Sequence, residues 1–184
     1  VAAHPEFAAR RTTKRIDGRN LTGWFTEDFT WAELSTLRAI ERLPTIRQGG
    51  ASFDGTAGIL RLSDLVGIID AAAVAQGRDL IMVAEIKHAA YFESIGLPLD
   101  ELIAAELSGW ATASNLIVES FEQTVLEQVR ARGIPGRLVY LVEDSGSPAD
   151  LVAQFGRKAL PYSAHVTNAG LARLKADGID GVSV

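Results

Sequence analysis

One short stretch holds most of the chain's chemical potential: Ala84-Glu85-Ile86-Lys87 closes an apolar run that begins at Leu80. Strand side chains alternate, so Ile81, Val83, Glu85 and Lys87 share one face and Leu80, Met82, Ala84 and Ile86 share the other. A carboxylate and an ammonium therefore emerge side by side at the end of a strand. Either charge is costly to bury alone, so the two must pair, meet water or hold a ligand. Two readings stand: an internal ion pair closing the mouth of the fold, or a metal-ligating carboxylate beside a cation that faces a substrate anion. Leu116-Ile117-Val118-Glu119-Ser120-Phe121 repeats the pattern, with Ile117, Glu119 and Phe121 on one face. With both faces turned inward, Glu85, Lys87, Glu119 and Phe121 converge. Glu119 then binds substrate hydroxyls or orients Lys87, or is simply the ion-pair partner of Lys87, and Phe121 forms a wall.

Other chemistry-bearing residues are thinly spread. Of the three histidines, His88 is expected to point away from Glu85, while His4 and His165 read as surface residues. No two of them have metal-ligand spacing, and no serine sits in the G-x-S-x-G setting of a hydrolase nucleophile. The absence of cysteine excludes disulfide frameworks, zinc-thiolate sites, iron–sulfur clusters and thiol catalysis. No glycine-rich phosphate fingerprint follows a strand.

The elements that must position these side chains come from an alternation that begins near residue 59. Leu62, Leu65, Val66, Ile69 and Ala73 form one helical stripe, ended by Gly77. Leu80 to Lys87 reads as a strand covered on both sides. Leu99, Leu102, Ile103 and Leu107 mark a helix, 116–121 a strand, Val125, Leu126 and Val129 a helix, and 137–143 a strand. A short helix over 149–155, a Thr167-capped helix carrying Leu171 and Leu174, and a strand over 179–184 complete the series. Buried strands separated by helices imply parallel βαβ units. Polar residues at the carboxyl ends of those strands favour a (β/α)8 barrel over an open doubly wound sheet. Such a barrel takes about 250 residues, so four core strands make a partial one.

Residues 1–58 differ in character. Arg10, Arg11, Lys14, Arg15 and Arg19 lie in a stretch without period and read as solvated surface. Thr30 and Glu33 have capping-box spacing before a short helix carrying Trp31, Leu34 and Leu37, fading near Arg42. Trp24, Phe25, Phe29 and Trp31 form the core of this segment, or a lid over the mouth, and 48–55 is a flexible loop by composition. The predicted division is thus a cap-like segment over 1–58 and barrel units over 59–184.

Composition sets the outer limits. The 184 residues are 47% apolar with a formal charge of −5, which suits a soluble globular protein and gives no general footprint for nucleic acid or an anionic membrane. The run 80–86 is far short of the roughly 20 residues a membrane helix needs. The chain begins at Val1 without a leader and stops inside a strand-like segment, so a piece of a longer protein is expected.

Arg11-Thr12-Thr13, Gly23-Trp24-Phe25-Thr26-Glu27-Asp28-Phe29-Thr30 with Glu33-Leu34 and Leu37-Arg38-Ala39, Glu85-Ile86-Lys87, Glu119-Ser120-Phe121 and Ala176-Asp177-Gly178-Ile179 occur in one order. That ordered set resembles the glycerophosphodiester phosphodiesterases, most closely over 10–122. The resemblance implies a partial TIM barrel with a small helical insertion near the N-terminus, to which residues 1–58 mainly belong. It implies metal-dependent hydrolysis of small glycerophosphodiesters to glycerol 3-phosphate and an alcohol. Glu85 matches a ligand of the family's divalent metal, calcium or magnesium, and Lys87 matches the lysine beside the substrate phosphate. Glu119 and Phe121 would complete the substrate contacts. The family's His-Arg-Gly motif, Glu-x-Asp metal pair and second histidine lie upstream of the Arg-Thr-Thr element and have no counterpart here. The 184 residues alone are therefore expected to be inactive, with no catalytic histidine retained. The resemblance favours a periplasmic or extracellular compartment. Two other readings remain: a non-catalytic module that kept the barrel, or an aldolase-type barrel forming a Schiff base at Lys87. The latter is disfavoured by the Glu85 carboxylate pairing with the ammonium.

Overall fold

The computed structural model describes Val1 and residues 4–184, and their contacts divide the chain into two compact units. One comprises residues 1–15 and 20–65, the other 16–19 and 66–184.

A 3-10 helix, Pro5–Arg10, leads into strands β1 (Thr12–Ile16) and β2 (Arg19–Gly23), a two-stranded sheet where the sequence showed no period; most of it belongs to the first unit, and its turn, residues 16–19, to the second. The signal was local. Asp17 and Gly18 both have positive φ, 50° and 76°, as a tight two-residue hairpin turn of the primed type requires. Helix α1 (Trp31–Leu34) starts at the expected capping box, with Thr30 Oγ1 accepting from Glu33 N and Glu33 accepting from Thr30 N at 2.8 Å. It is a single turn and stops well before Arg42. Phe7 and Leu37 are buried, but the four aromatics expected to form the core are not. Each instead carries a cation over its ring: Arg10 on Phe29 at 5.0 Å, Arg11 on Trp24 at 5.9 Å, Lys14 on Phe25 at 4.9 Å and Arg61 on Trp31 at 5.2 Å. Arg10, Arg11 and Lys14 are thus packed over aromatic rings rather than merely solvated, while Arg15 and Arg19 are exposed as expected. Although burial opposes it, hydrogen bonds to Asp28 and Glu27 hold the Lys14 ammonium well above its ordinary pKa. Between Arg38 and Gly58, which form an antiparallel bridge, the chain makes one turn of helix, α2 (Gln48–Ala51), in the stretch expected to be a loop.

The second unit is the α/β part. Helix α3 (Leu62–Gln76) ends at Gly77, whose φ of +60° is the left-handed stop expected there. Then follow β3 (Met82–Glu85), α4 (Ala89–Ser94), α5 (Leu99–Leu107), β4 (Leu116–Ser120), α6 (Gln123–Ala131), β5 (Arg137–Leu141), α7 (Ala149–Phe155), α8 (Tyr162–His165), α9 (Asn168–Ala176) and β6 (Gly181–Ser183). The strands form one parallel sheet in the order β3-β4-β5-β6. Consecutive strands are neighbours throughout, without the reversal of order that marks a doubly wound sheet. This α/β arrangement is consistent with an arc of a (β/α) barrel. Among the described residues the sheet is open, with β3 and β6 as its edges.

The core lies on one face only. Met82, Ile86, Leu116, Val118, Leu138 and Tyr140 are buried, and α6 covers β4 and β5 with Val125, Leu126 and Val129. The opposite face is open: Ile81 is 48% and Val83 55% exposed. The expectation that β3 is covered on both sides is therefore corrected, because alternation divides its apolar residues between a helix-packed face and one that no described residue covers. Two apolar stripe positions, Leu102 and Leu171, are likewise exposed.

Long-range polar contacts tie the helical layer together. Asp150 accepts from Thr124 N at 2.8 Å and from Thr124 Oγ1 at 2.7 Å at the start of α6, and Arg132 joins Asp100 and Glu101 on α5. Thr167 caps α9 as expected, accepting from Gly170 N at 3.0 Å. His165, read as a surface residue, is buried with its ring 5.4 Å from that of Tyr140. Burial, reinforced by Arg173 and opposed by Asp150, lowers its pKa. Its burial comes from α8 packing against β5, a contact between distant segments that no local pattern announces.

Candidate functional site

The register decides which side chains share the mouth. Glu85 on β3 pairs with Glu119 on β4, which pairs with Val139 on β5. This row lies on the open face, away from the helices. It stands at the carboxyl end of a parallel sheet, where such folds carry their chemistry. The Lys87 ammonium donates a hydrogen bond to Glu85 Oε1, so the two charges meet through a two-residue offset along one strand edge. Lys87 is 62% exposed, leaving its remaining N–H groups to solvent. Glu119 is half-buried, and among the described residues no ion pair joins it to Lys87. Phe121 is half-buried with its ring edge-on to Tyr162 at 6.4 Å. Burial raises the Tyr162 hydroxyl to a pKa of about 12, with further push from Glu143, Asp150, Glu122 and Asp17. Tyr162 is accordingly a neutral hydroxyl beside this end of the sheet.

The backbone that presents the site is held by residues the sequence reading passed over. Ser120 Oγ donates to Ile86 O at 2.8 Å and accepts from Glu122 N at 3.1 Å, locking the ends of β3 and β4 together. Glu122 is buried, and its two oxygens accept from Ala89 N at 2.6 Å and Ala90 N at 2.8 Å, the free donors at the start of α4. Helix α4 was missed because its cap comes from 33 residues away. Burial is the main reason that the Glu122 pKa is raised; Asp17 and Asp150 add to it, and the two backbone N–H groups oppose it. His88, between Lys87 and α4, has a left-handed backbone with φ of 58°, and its Nδ1 lies 2.5 Å from Asp17 Oδ2.

A cavity of about 290 Å³ opens on the helical side between α4, α6 and α7, lined in part by Ala89, Glu122, Thr124 and Asp150. None of Glu85, Lys87, Glu119 and Phe121 lines it. The candidate side chains lie on an open sheet face, not in a closed pocket.

A hard divalent cation requires about six oxygen ligands. Among the described residues no three His, Cys, Asp or Glu side chains are grouped to hold one, and Glu85 is already engaged by Lys87. These residues alone do not make a metal site. No described helix is long and apolar enough to cross a membrane.

The chain matches no protein-family model. It is similar to the glycerophosphodiester phosphodiesterase GDPD6 of Arabidopsis thaliana, with 29% identity over 168 residues. That stretch is 91% of this chain but only 38% of the plant protein's length, a weak similarity that spans well under half of that hydrolase.

Proposed function

We propose that the protein hydrolyses glycerophosphodiesters to glycerol 3-phosphate and an alcohol, and that these 184 residues carry the anion-binding part of its site. The observation that carries this reading is the placement of the Glu85–Lys87 pair on the open sheet face, in register with Glu119 and away from the helices. A phosphodiester is an anion, and charge grows on its oxygens and on the leaving alkoxide as the bond to phosphorus breaks. Lys87 supplies an exposed point charge for a non-bridging oxygen. Glu119 accepts from a glycerol hydroxyl, and Phe121 walls the hydrocarbon side. Calcium or magnesium dependence belongs to the proposal, with Glu85 as one oxygen ligand of a donor set that the described residues do not complete.

The test is hydrolysis of glycerophosphocholine with calcium by the 184-residue chain and by a form extended at its amino end. The extended form is expected to turn over, with the K87M substitution lowering kcat/KM by about 100-fold, in line with loss of one charge-stabilising group. The 184-residue chain is expected to be inactive. An extended form indifferent to K87M would sink the proposal, as would full turnover by the 184 residues alone.

A further inference from the structure

Among the described residues only two non-glycine positions have positive φ, Asp17 at 50° and His88 at 58°, and their side chains are hydrogen-bonded to each other. This backbone region is unfavourable for an L-residue and persists where surrounding structure enforces it, often at ligand sites. Both ends are enforced here. Asp17 sits in the β1–β2 turn, and His88 is fixed by Phe92 N donating to its carbonyl at 3.0 Å and by Glu122 gripping the next two amides. The pair stands beside Lys87 at the carboxyl end of the sheet.

The chemistry of the pair is directional. An ionised carboxylate only accepts, so the proton between the two is on His88 Nδ1. In the neutral ring Nε2 is then an acceptor, and the His88 side chain is 45% exposed. Nε2 has no partner among the described residues. A latch for the hairpin turn would need only the Nδ1 contact; here an oriented, accessible acceptor is carried by the residue that follows Lys87. We propose that His88 is a substrate-contacting residue whose Nε2 accepts a hydrogen bond from a hydroxyl of the glycerol moiety, and that Asp17 is the positioning residue that fixes its tautomer. This rests on the phosphodiesterase reading, since it places the hydroxyl beside the Lys87-bound phosphate.

The test is long-range ¹H–¹⁵N spectroscopy of the imidazoles in the 184-residue chain, with the three histidines separated by the H88N variant, which keeps a residue tolerant of the left-handed backbone. His88 is expected to show a protonated Nδ1 and a bare Nε2, and Nε2 alone is expected to shift saturably with glycerol 3-phosphate and not with inorganic phosphate at equal ionic strength. D17N, which also tolerates the turn, is expected to mix the tautomers and weaken the midpoint about tenfold while leaving the circular dichroism spectrum unchanged. A protonated Nε2 in the wild type overturns the dyad. Glycerol 3-phosphate binding that depends on Lys87 but leaves His88 unmoved overturns the dyad and spares the parent reading. No saturable shift at any residue overturns both.

Discussion

Replacing Glu122 separates two contributions that a buried carboxylate usually mixes. In E122A, Ala89 N and Ala90 N lose acceptors at 2.6 and 2.8 Å in a site where Glu122 is 3% exposed. Each unsatisfied buried donor costs about 1–3 kcal/mol, and Ala89 N is buried while Ala90 N is part-buried, so E122A is expected to lose about 2–4 kcal/mol. E122Q behaves differently. The raised pKa means that burial, with Asp17 and Asp150 nearby, outweighs the two N–H bonds in favouring the neutral acid. Glutamine is neutral like that acid but offers one acceptor oxygen and sets its NH2 against the second backbone N–H, so E122Q is expected to cost about 1–3 kcal/mol, less than E122A. The sign with pH follows. A carboxyl whose folded pKa is raised contributes most below its unfolded value, near 4.5, and loses that contribution as pH rises through the folded value. Wild type should therefore lose stability relative to E122Q as pH rises across that window. Urea unfolding followed by circular dichroism between pH 4.5 and 7.5 measures both effects. The reasoning fails if E122A is as stable as wild type, or if wild type gains on E122Q as pH increases.

Three further expectations concern the same unit. A Cβ at Gly170 would lie 2.3 Å from Ala164 O, which is backbone and cannot yield cheaply, so G170A should cost about 2–3 kcal/mol in urea unfolding. Gly67, inside α3, has open space around its missing Cβ, and G67A should stabilise by about 0.5–1 kcal/mol. His165 has a lowered pKa, so its contribution is complete above the unfolded value near 6.5 and is lost as pH falls through the folded one. H165F should flatten that part of the pH–stability curve and, because Nε2 has no hydrogen-bond partner among the described residues, should cost little at pH 8; an unchanged slope would contradict the assignment.

What the sequence made legible was periodicity and local capping. The helix over 149–155 appears with the expected bounds, Thr167 and the Thr30–Glu33 box cap as expected, and four parallel strands fall where the apolar runs lie. Contacts between distant segments were not legible. Glu122 was invisible as a cap because its partners begin 33 residues earlier, and His165 looked like a loop residue because the ring that packs on it, Tyr140, comes from strand β5. The hairpin could have been found, since Asp17-Gly18 is a strong turn signal, but the arginine-rich flanks hid the strands. At the site, alternation correctly put Glu85 and Lys87 together. It could not tell that Lys87 pairs within its own strand rather than with Glu119, nor that the apolar residues sharing their face would stand open.

The most direct measurement is calorimetric titration of the 184-residue chain with glycerol 3-phosphate, comparing wild type with K87M and E85Q. A lysine that serves the anion should lose about tenfold in affinity on truncation, the size of one charge-assisted hydrogen bond, while E85Q, which frees the ammonium from its partner, should bind as well as wild type or better. Equal affinity in wild type and K87M would show that the pair only closes the end of β3 and has no part in holding a phosphate ester.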